Sequence, residues 1–168
     1  TSEFNTININ TNYWNYLGTT WQNLIAETTW YLGGFSHEGG VTAKEFYNGE
    51  RNNVGYGSNP TTYSDEIGLM YPSDYGFAAS PDAWTTNLTS YNNSTITSNN
   101  WIYMGLKEWT ITPYSSNSYI VLYVSSTGSL GNSGGHVGYS VRPVFYLKSN
   151  VEYNGGTGTE SDPFTLAV

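Results

Sequence analysis

Cysteine is absent from this chain of 168 residues. That excludes disulfides, thiol catalysis and thiolate metal sites. Charge is scarce too: 11% of residues are charged, and five basic against thirteen acidic side chains leave a net charge of −8. The basic residues, Lys44, Arg51, Lys107, Arg142 and Lys148, are scattered along the sequence. Phosphate backbones and anionic membranes are held by clustered Lys and Arg, so no nucleic acid partner and no anionic lipid surface is expected. No apolar run approaches the roughly 20 residues of a membrane span, and no leader peptide is read. The chain therefore reads as a mature or excised soluble piece without direct membrane insertion. Histidine is limited to His37 and His136, each in a Gly-rich stretch.

What is present is polarity without charge. Sixteen Tyr and six Trp stand among abundant Asn, Ser, Thr and Gly. Tyr and Trp supply large, stiff, amphipathic contact area, while Ser, Gly and Asn adapt their hydrogen bonds; binding loops have this composition. Aromatics also fill sheet-rich cores and Asn marks turns. A core share and a surplus outside it are both expected. The low Lys and high Asn, Thr and Tyr content leans toward an extracellular setting.

The length suits one domain with its own core. Thr19-Thr20-Trp21-Gln22 reads as a capping box, with Trp21, Leu24 and Ile25 on one face of a short helix. The β-branched and aromatic run 28–32 reads as a strand. A second helix is expected from Thr42, with Glu45 closing the box, Val41 and Phe46 as staple, and a stop near Asn48-Gly49 or a few residues later. Residues 52–65 read as loop, 67–71 as a strand ended by Pro72, and 73–100 as mostly irregular. Further strands are expected at 101–104, 108–112, 119–125, 139–147 and 164–167. The run Ile120–Val124 is apolar on both faces, which suggests a central buried strand with Tyr123 in the core. Two short helices in the N-terminal half and a β-rich C-terminal half make the expected class α+β.

Several motifs then line up in order: Trp30-Tyr31-Leu32-Gly33-Gly34; Ile67-Gly68-Leu69-Met70-Tyr71-Pro72-Ser73-Asp74-Tyr75-Gly76; Ser98-Asn99-Asn100-Trp101; Trp109 with Thr112-Pro113-Tyr114-Ser115-Ser116; Val141-Arg142-Pro143-Val144-Phe145-Tyr146-Leu147; and Gly155-Gly156-Thr157-Gly158-Thr159 with Asp162-Pro163-Phe164. Over residues 14–168 this order resembles the C-terminal domain of large cell-surface proteins of gut Gram-positive bacteria, many of which carry a pilin-like N-terminal helix. The stretch from Trp109 to Leu147 also resembles the end of C-type-lectin-like domains, including formylglycine-generating enzymes and the variable proteins of diversity-generating retroelements. The resemblance implies a single C-type-lectin-like display domain over 1–168, one that begins inside the fold and lacks an upstream strand or borrows it from another chain. Two departures stand out. The Cys pair often found near Ala83 or Trp84 and Ile96 is missing, and formylglycine generation, which needs Cys for copper and catalysis, does not carry over.

In the retroelement-type proteins the stretch corresponding to Tyr114–Tyr139 forms the ligand surface. Here the ligand-binding candidates are Tyr114, Ser116, Asn117, Ser118, Tyr119, Ser125, Asn132, Ser133, His136 and Tyr139. The same residues also suit an ordinary hairpin region. Arg142 reads either as a carboxylate or sugar ligand or, more simply, as a structural Arg paired with a buried acid or carbonyls, with Asp74 as the expected partner by analogy.

Chemistry finds little to use. No nucleophile elbow is read, and a Ser–His–Asp site would have to be assembled from unrelated positions. Glu45, Glu50, Asp65, Glu66 and Asp74 are the carboxylates within reach of a glycosidase pairing. No calcium loop or His pair occurs; Asp65-Glu66, Asp82 and Glu160–Asp162 are the oxygen donors for calcium, with nothing fixing a site. No catalytic residue, metal or cofactor is expected. Asn87, Asn92 and Asn93 begin glycosylation patterns that read as products of an Asn/Thr-rich stretch. The expected function is an extracellular, cell-surface adhesion domain for a protein or glycan ligand on another cell or host surface, of the diversified variable type. A self-associating filament or pilus subunit and a carbohydrate-active enzyme are the alternatives.

Overall fold

The computed structural model describes residues 4–35, 41–52, 59–91 and 98–167. Among them the elements run as a π-helical segment Phe4–Tyr13, α1 Trp14–Gln22, β1 Ile25–Ala26, β2 Thr28–Tyr31, α2 Ala43–Glu50, β3 Thr62–Asp65, β4 Gly68–Leu69, α3 Pro72–Phe77, and 3₁₀ turns Pro81–Ala83 and Leu88–Ser90. Then come β5 Glu108–Pro113, β6 Ile120–Val124, β7 Leu130–Gly134, β8 Pro143–Val144, β9 Tyr146–Leu147, β10 Glu152–Gly155 and β11 Thr165–Ala167. Helices mixed with small antiparallel sheets make the protein α+β. Contacts divide the chain into two units: Thr1–Thr28 with Ser64–Ile67 and Phe145–Val168, and Thr29–Tyr63 with Gly68–Val144.

In the first unit, β1 pairs antiparallel with β9, Ile25 opposite Leu147 and Ala26 opposite Tyr146. Ile25 is buried there. The expected helix through Trp21, Leu24 and Ile25 is thus corrected: α1 starts earlier, breaks at Gly18 (φ 73°, ψ 166°) and ends at Gln22. Left-handed φ costs glycine nothing, so the break falls where the sequence allows it. The Asn10 side chain imitates a strand partner. It donates to the Ile67 carbonyl and accepts from the Ile67 N–H, both at 2.9 Å. A hairpin of β10 and β11 closes the unit, with a bulge between Tyr153 and Gly155 and an edge-on Tyr153–Phe164 pair.

The second unit holds the larger core. α2 starts as its cap dictates: Glu45 N–H donates to the Thr42 hydroxyl, and the Glu45 carboxylate accepts from Thr42 N–H. Phe46 is fully buried and Val41 packs on the same core. Fully burying a side chain such as Phe46 contributes about 1.5–3 kcal/mol. Pro72 does not end a strand, as expected from sequence, but opens α3. It lacks the N–H that a first helical residue leaves unbonded, and Asp74 accepts the Tyr71 N–H at 2.9 Å. The stretch 73–100, expected irregular, supplies much of the core through Tyr75, Ala78, Ala79, Ala83, Leu88 and Tyr91. Gly76 lets α3 lie against Ala43 of α2 and Leu88; a Cβ there would stand 2.6 Å from the Ala43 methyl.

Other expectations shift as well. Residues 62–65, expected as loop, form β3, and 101–104, expected as strand, form turns with Trp101 82% exposed. The expected strand 139–147 is two short strands, β8 paired with β4 and β9 paired with β1. β7 and β10 carry no apolar run and were not anticipated. His37, Asn92, Asn93 and Ile96 lie outside the described residues.

Candidate functional site

A three-stranded antiparallel sheet in the order β5-β6-β7, taken with its connecting turns, holds most of the candidate residues. Period-2 alternation decides what each side chain meets. Leu122 and Val124 of β6 and Leu130 of β7 point into the core with Thr110 and Glu108 of β5. Tyr123 points the other way and is only half-buried, so its expected place in the core is corrected. It pairs across the sheet with Trp109, rings 5.9 Å apart, and Tyr139 closes on both at 4.7 and 4.8 Å. The Trp109 indole N–H donates to the Val137 carbonyl. Gly131 faces Tyr123 across β6–β7; a Cβ there would stand 3.1 Å from its ring. Tyr139 is therefore a ring in a packed aromatic trio, with the Lys107 ammonium 5.1 Å from its centroid.

The hairpin loop at one end of the sheet holds Ser125. Its hydroxyl bonds Thr127 and Ser129 at 2.9 Å, and the loop is tied to the core by Tyr75, whose hydroxyl donates to the Gly128 carbonyl at 2.7 Å. Burial pushes the Tyr75 phenol up from its ordinary range. Ser125 is engaged in the turn and stands about 16 Å along β6 from Ile120, at 3.3 Å per residue. It does not join the other candidates.

The opposite end brings them together. Ile120 faces Gly134, and Gly135 N–H donates to the Tyr119 carbonyl at 2.8 Å. The turn 114–119 thereby meets the turn 133–136. Tyr114 N–H donates to Ile120, Asn117 N–H to Tyr114, and the Asn117 side chain accepts from Tyr119 N–H at 3.2 Å. Phe35 bridges Tyr114, receiving Ser115 N–H and donating to Pro113, while Gly34 packs directly on Ser115. The backbone of this rim is pinned, yet Tyr119 is 69% exposed and Ser116, Ser118 and His136 face solvent. Among the described residues the side chains of Ser116, Ser118, Tyr119, Ser133 and His136 accept or donate no hydrogen bond. The His136 ring lies over Gly134, where a Cβ would come 2.7 Å from it. Asn132 is exposed but opposite Leu122, on the other side of the sheet from Ser133. Tyr114 is half-buried against the core.

Neither turn contains Asp, Glu, Lys or Arg. The rim offers aromatic faces, hydroxyls, amide groups and one imidazole. Contrary to the expectation that no nucleophile elbow occurs, Gly131-Asn132-Ser133-Gly134-Gly135 spells the Gly-x-Ser-x-Gly pattern. Ser133, however, sits inside strand β7 opposite Val121 rather than at a strand-to-helix corner, which is what exposes a nucleophile of that type.

Arg142 is a strut. Its Nη2 donates to the Ile102 carbonyl at 2.7 Å and to both oxygens of buried Glu108 at 3.1 and 3.0 Å. The acid expected from sequence was Asp74; that carboxylate instead caps α3, and burial raises its pKa. The strut runs between β5 and the segment before β8, so only the fold brings Glu108 and Arg142 together.

Of the remaining carboxylates, Asp65 and Glu66 share a side-chain hydrogen bond that, with burial, raises the pKa of Glu66. Glu45 is lowered by the Thr42 N–H and hydroxyl. Asp65 accepts from Glu66 N–H. Glu50 is fully buried, accepts from Ser73 N–H at 2.9 Å and from Ser73 Oγ at 2.5 Å, and lies 3.3 Å from Arg51. Burial pushes Glu50 up to about 7, against the hydrogen bonds from Ser73 and the charge of Arg51. In sequence Glu50 is one of the five candidate carboxylates, and nothing in its neighbours announces burial. Among the described residues no three His, Asp or Glu side chains gather into a metal-holding group. Among them also, no helix is long and apolar enough to cross a membrane. No family model matches the chain, and no curated protein or solved structure matches it.

Proposed function

We propose that this chain is an extracellular ligand-binding or adhesion domain of C-type-lectin-like fold, displayed at a bacterial cell surface, and that it is not an enzyme. The observation that carries this reading is the rim where turns 114–119 and 133–136 meet. Its backbone is held by strand ends and by Phe35, while Tyr119, Ser116, Ser118 and His136 keep free, exposed side chains. A rigid backbone under free aromatic and hydroxyl groups lowers the ordering cost of binding. An uncharged rim suits a protein surface or a neutral glycan better than an ionic ligand. Seven of the ten sequence candidates, Tyr114 among them, lie in these two turns; Ser125, Tyr139 and Asn132 stand apart.

The test is Tyr119→Ala combined with His136→Ala, assayed on glycan arrays and on host-cell binding. Binding should be lost while stability stays within about 0.5 kcal/mol, because both side chains are exposed. Undiminished binding refutes the site. A filament subunit is the second reading, favoured by the exposed Tyr153, Phe164 and Leu166 of the β10–β11 hairpin. Light scattering that shows a monomer at high concentration removes it.

A further inference from the structure

Among the described residues Glu50 is the most deeply buried carboxylate, and the binding reading does not use it. It lies in the last turn of α2, its side chain completely withdrawn from solvent. The negative end of the α2 dipole disfavours an anion there. It accepts two hydrogen bonds from one residue of α3, Ser73, which is itself fully buried, and a longer one of 3.3 Å from Nη1 of Arg51. Among the described residues the charged groups facing it are Arg51, just past the end of α2, and Asp74 on α3. Arg51 compensates incompletely. Its guanidinium stacks on Tyr47 at 3.7 Å and reaches toward Tyr71 at 5.1 Å, donates to the Tyr47 carbonyl, and remains partly exposed. Asp74 carries the same sign as an ionised Glu50. Tyr71, in turn, accepts the Tyr31 N–H and donates to the Tyr31 carbonyl, so the cluster connects α2, α3 and β2.

We propose that the Glu50–Ser73 contact is a proton-operated latch between α2 and α3. A neutral carboxyl fits the buried pocket: one oxygen accepts Ser73 N–H, and the other shares a proton with Ser73 Oγ. An ionised carboxyl brings in a charge that one partly exposed Arg does not balance, and it loosens the α2–α3 seam.

The direction follows from the two ends of the titration. Unfolded, the carboxyl titrates near 4.5; folded, it titrates at about 7. Below 4.5 both forms are protonated and the latch contributes fully. Between these values only the folded form holds the proton, so stability falls as pH rises. Above 7 the loss is complete. Each pH step in that window costs close to a factor of ten, about 300-fold in the folding equilibrium overall.

The decisive readout is the carboxyl ¹³C shift of Glu50 followed from pH 3 to 9 in the wild-type chain. A midpoint near 7 supports the latch; one at or below 4.5 overturns it. Hydrogen exchange of α2 and α3, corrected for intrinsic pH dependence, should lose protection from pH 5 to 8 in the wild type and change far less in Glu50→Gln. Parallel profiles in the two proteins also overturn it. Should Glu50→Gln not fold, Arg51→Gln serves instead: it must move the ¹³C midpoint upward, and an unmoved midpoint counts against the proposal.

Discussion

Replacing Arg142 with Ala separates the two readings that its position before Pro143 permits. In the structure the guanidinium makes three hydrogen bonds through Nη2, two of them to Glu108, whose side chain is almost wholly buried. Arg142→Ala leaves that carboxylate on β5 with no counter-ion and the Ile102 carbonyl without its donor. Removing one member of a buried pair costs about 3–5 kcal/mol. Two features place the effect at the lower end: the Arg142 side chain is 26% exposed, so water reaches part of the vacated space, and its Nε has no partner to lose. A loss of about 3 kcal/mol corresponds to a fall in Tm of roughly 6–12 °C for a chain of this size. Differential scanning calorimetry reads it, and Arg142→Ala with Glu108→Gln should recover part of the loss, since a neutral amide is cheaper to bury than a charge. A single variant that keeps wild-type stability within about 0.5 kcal/mol refutes the strut. If ligand binding is lost at the same time, Arg142 belongs to the binding surface and not to the frame.

Gly68→Ala should destabilise by about 1–3 kcal/mol in urea denaturation, because the added methyl would stand 2.6 Å from the rigid, buried Trp30 ring. Thr42→Ala removes the hydroxyl that caps α2 and should cost about 1 kcal/mol by the same assay, with the helix otherwise intact in circular dichroism.

The parts of the fold legible in sequence are those whose cause is local. The Thr42–Glu45 box starts α2 because both partners lie within one turn. The β-branched and aromatic runs of β2, β5 and β6 are strands because such side chains suit a pleated surface. Pro72 was open to two local readings. It follows an apolar run and so reads as a stop, but it also suits the first position of a helix, and the capping carboxylate of Asp74 decides for the helix. β7 was hidden because Leu-Gly-Asn-Ser-Gly has no strand propensity; pairing with β6 makes it a strand.

The candidate site divides along the same line. Sequence alone determined the chemistry on offer: no thiol, few charges, and between Trp109 and Arg142 a Ser-rich stretch with Tyr, Asn and His and no charged side chain. Only the tertiary structure decided which of those groups share a surface. Strand register carries Ser133 and His136 to Tyr119, and the same register leaves Ser125 at the far end of the sheet. Alternation turns Asn132 to the opposite side from Ser133, and ring contacts draw Tyr139 into the aromatic trio. Burial is likewise a property of the folded surroundings. Glu108 and Glu50 look like any other surface acids in sequence, yet the first anchors Arg142 and the second becomes a group that titrates near neutrality. Propensity and capping act over a few residues, whereas register, burial and charge pairing depend on residues tens of positions apart.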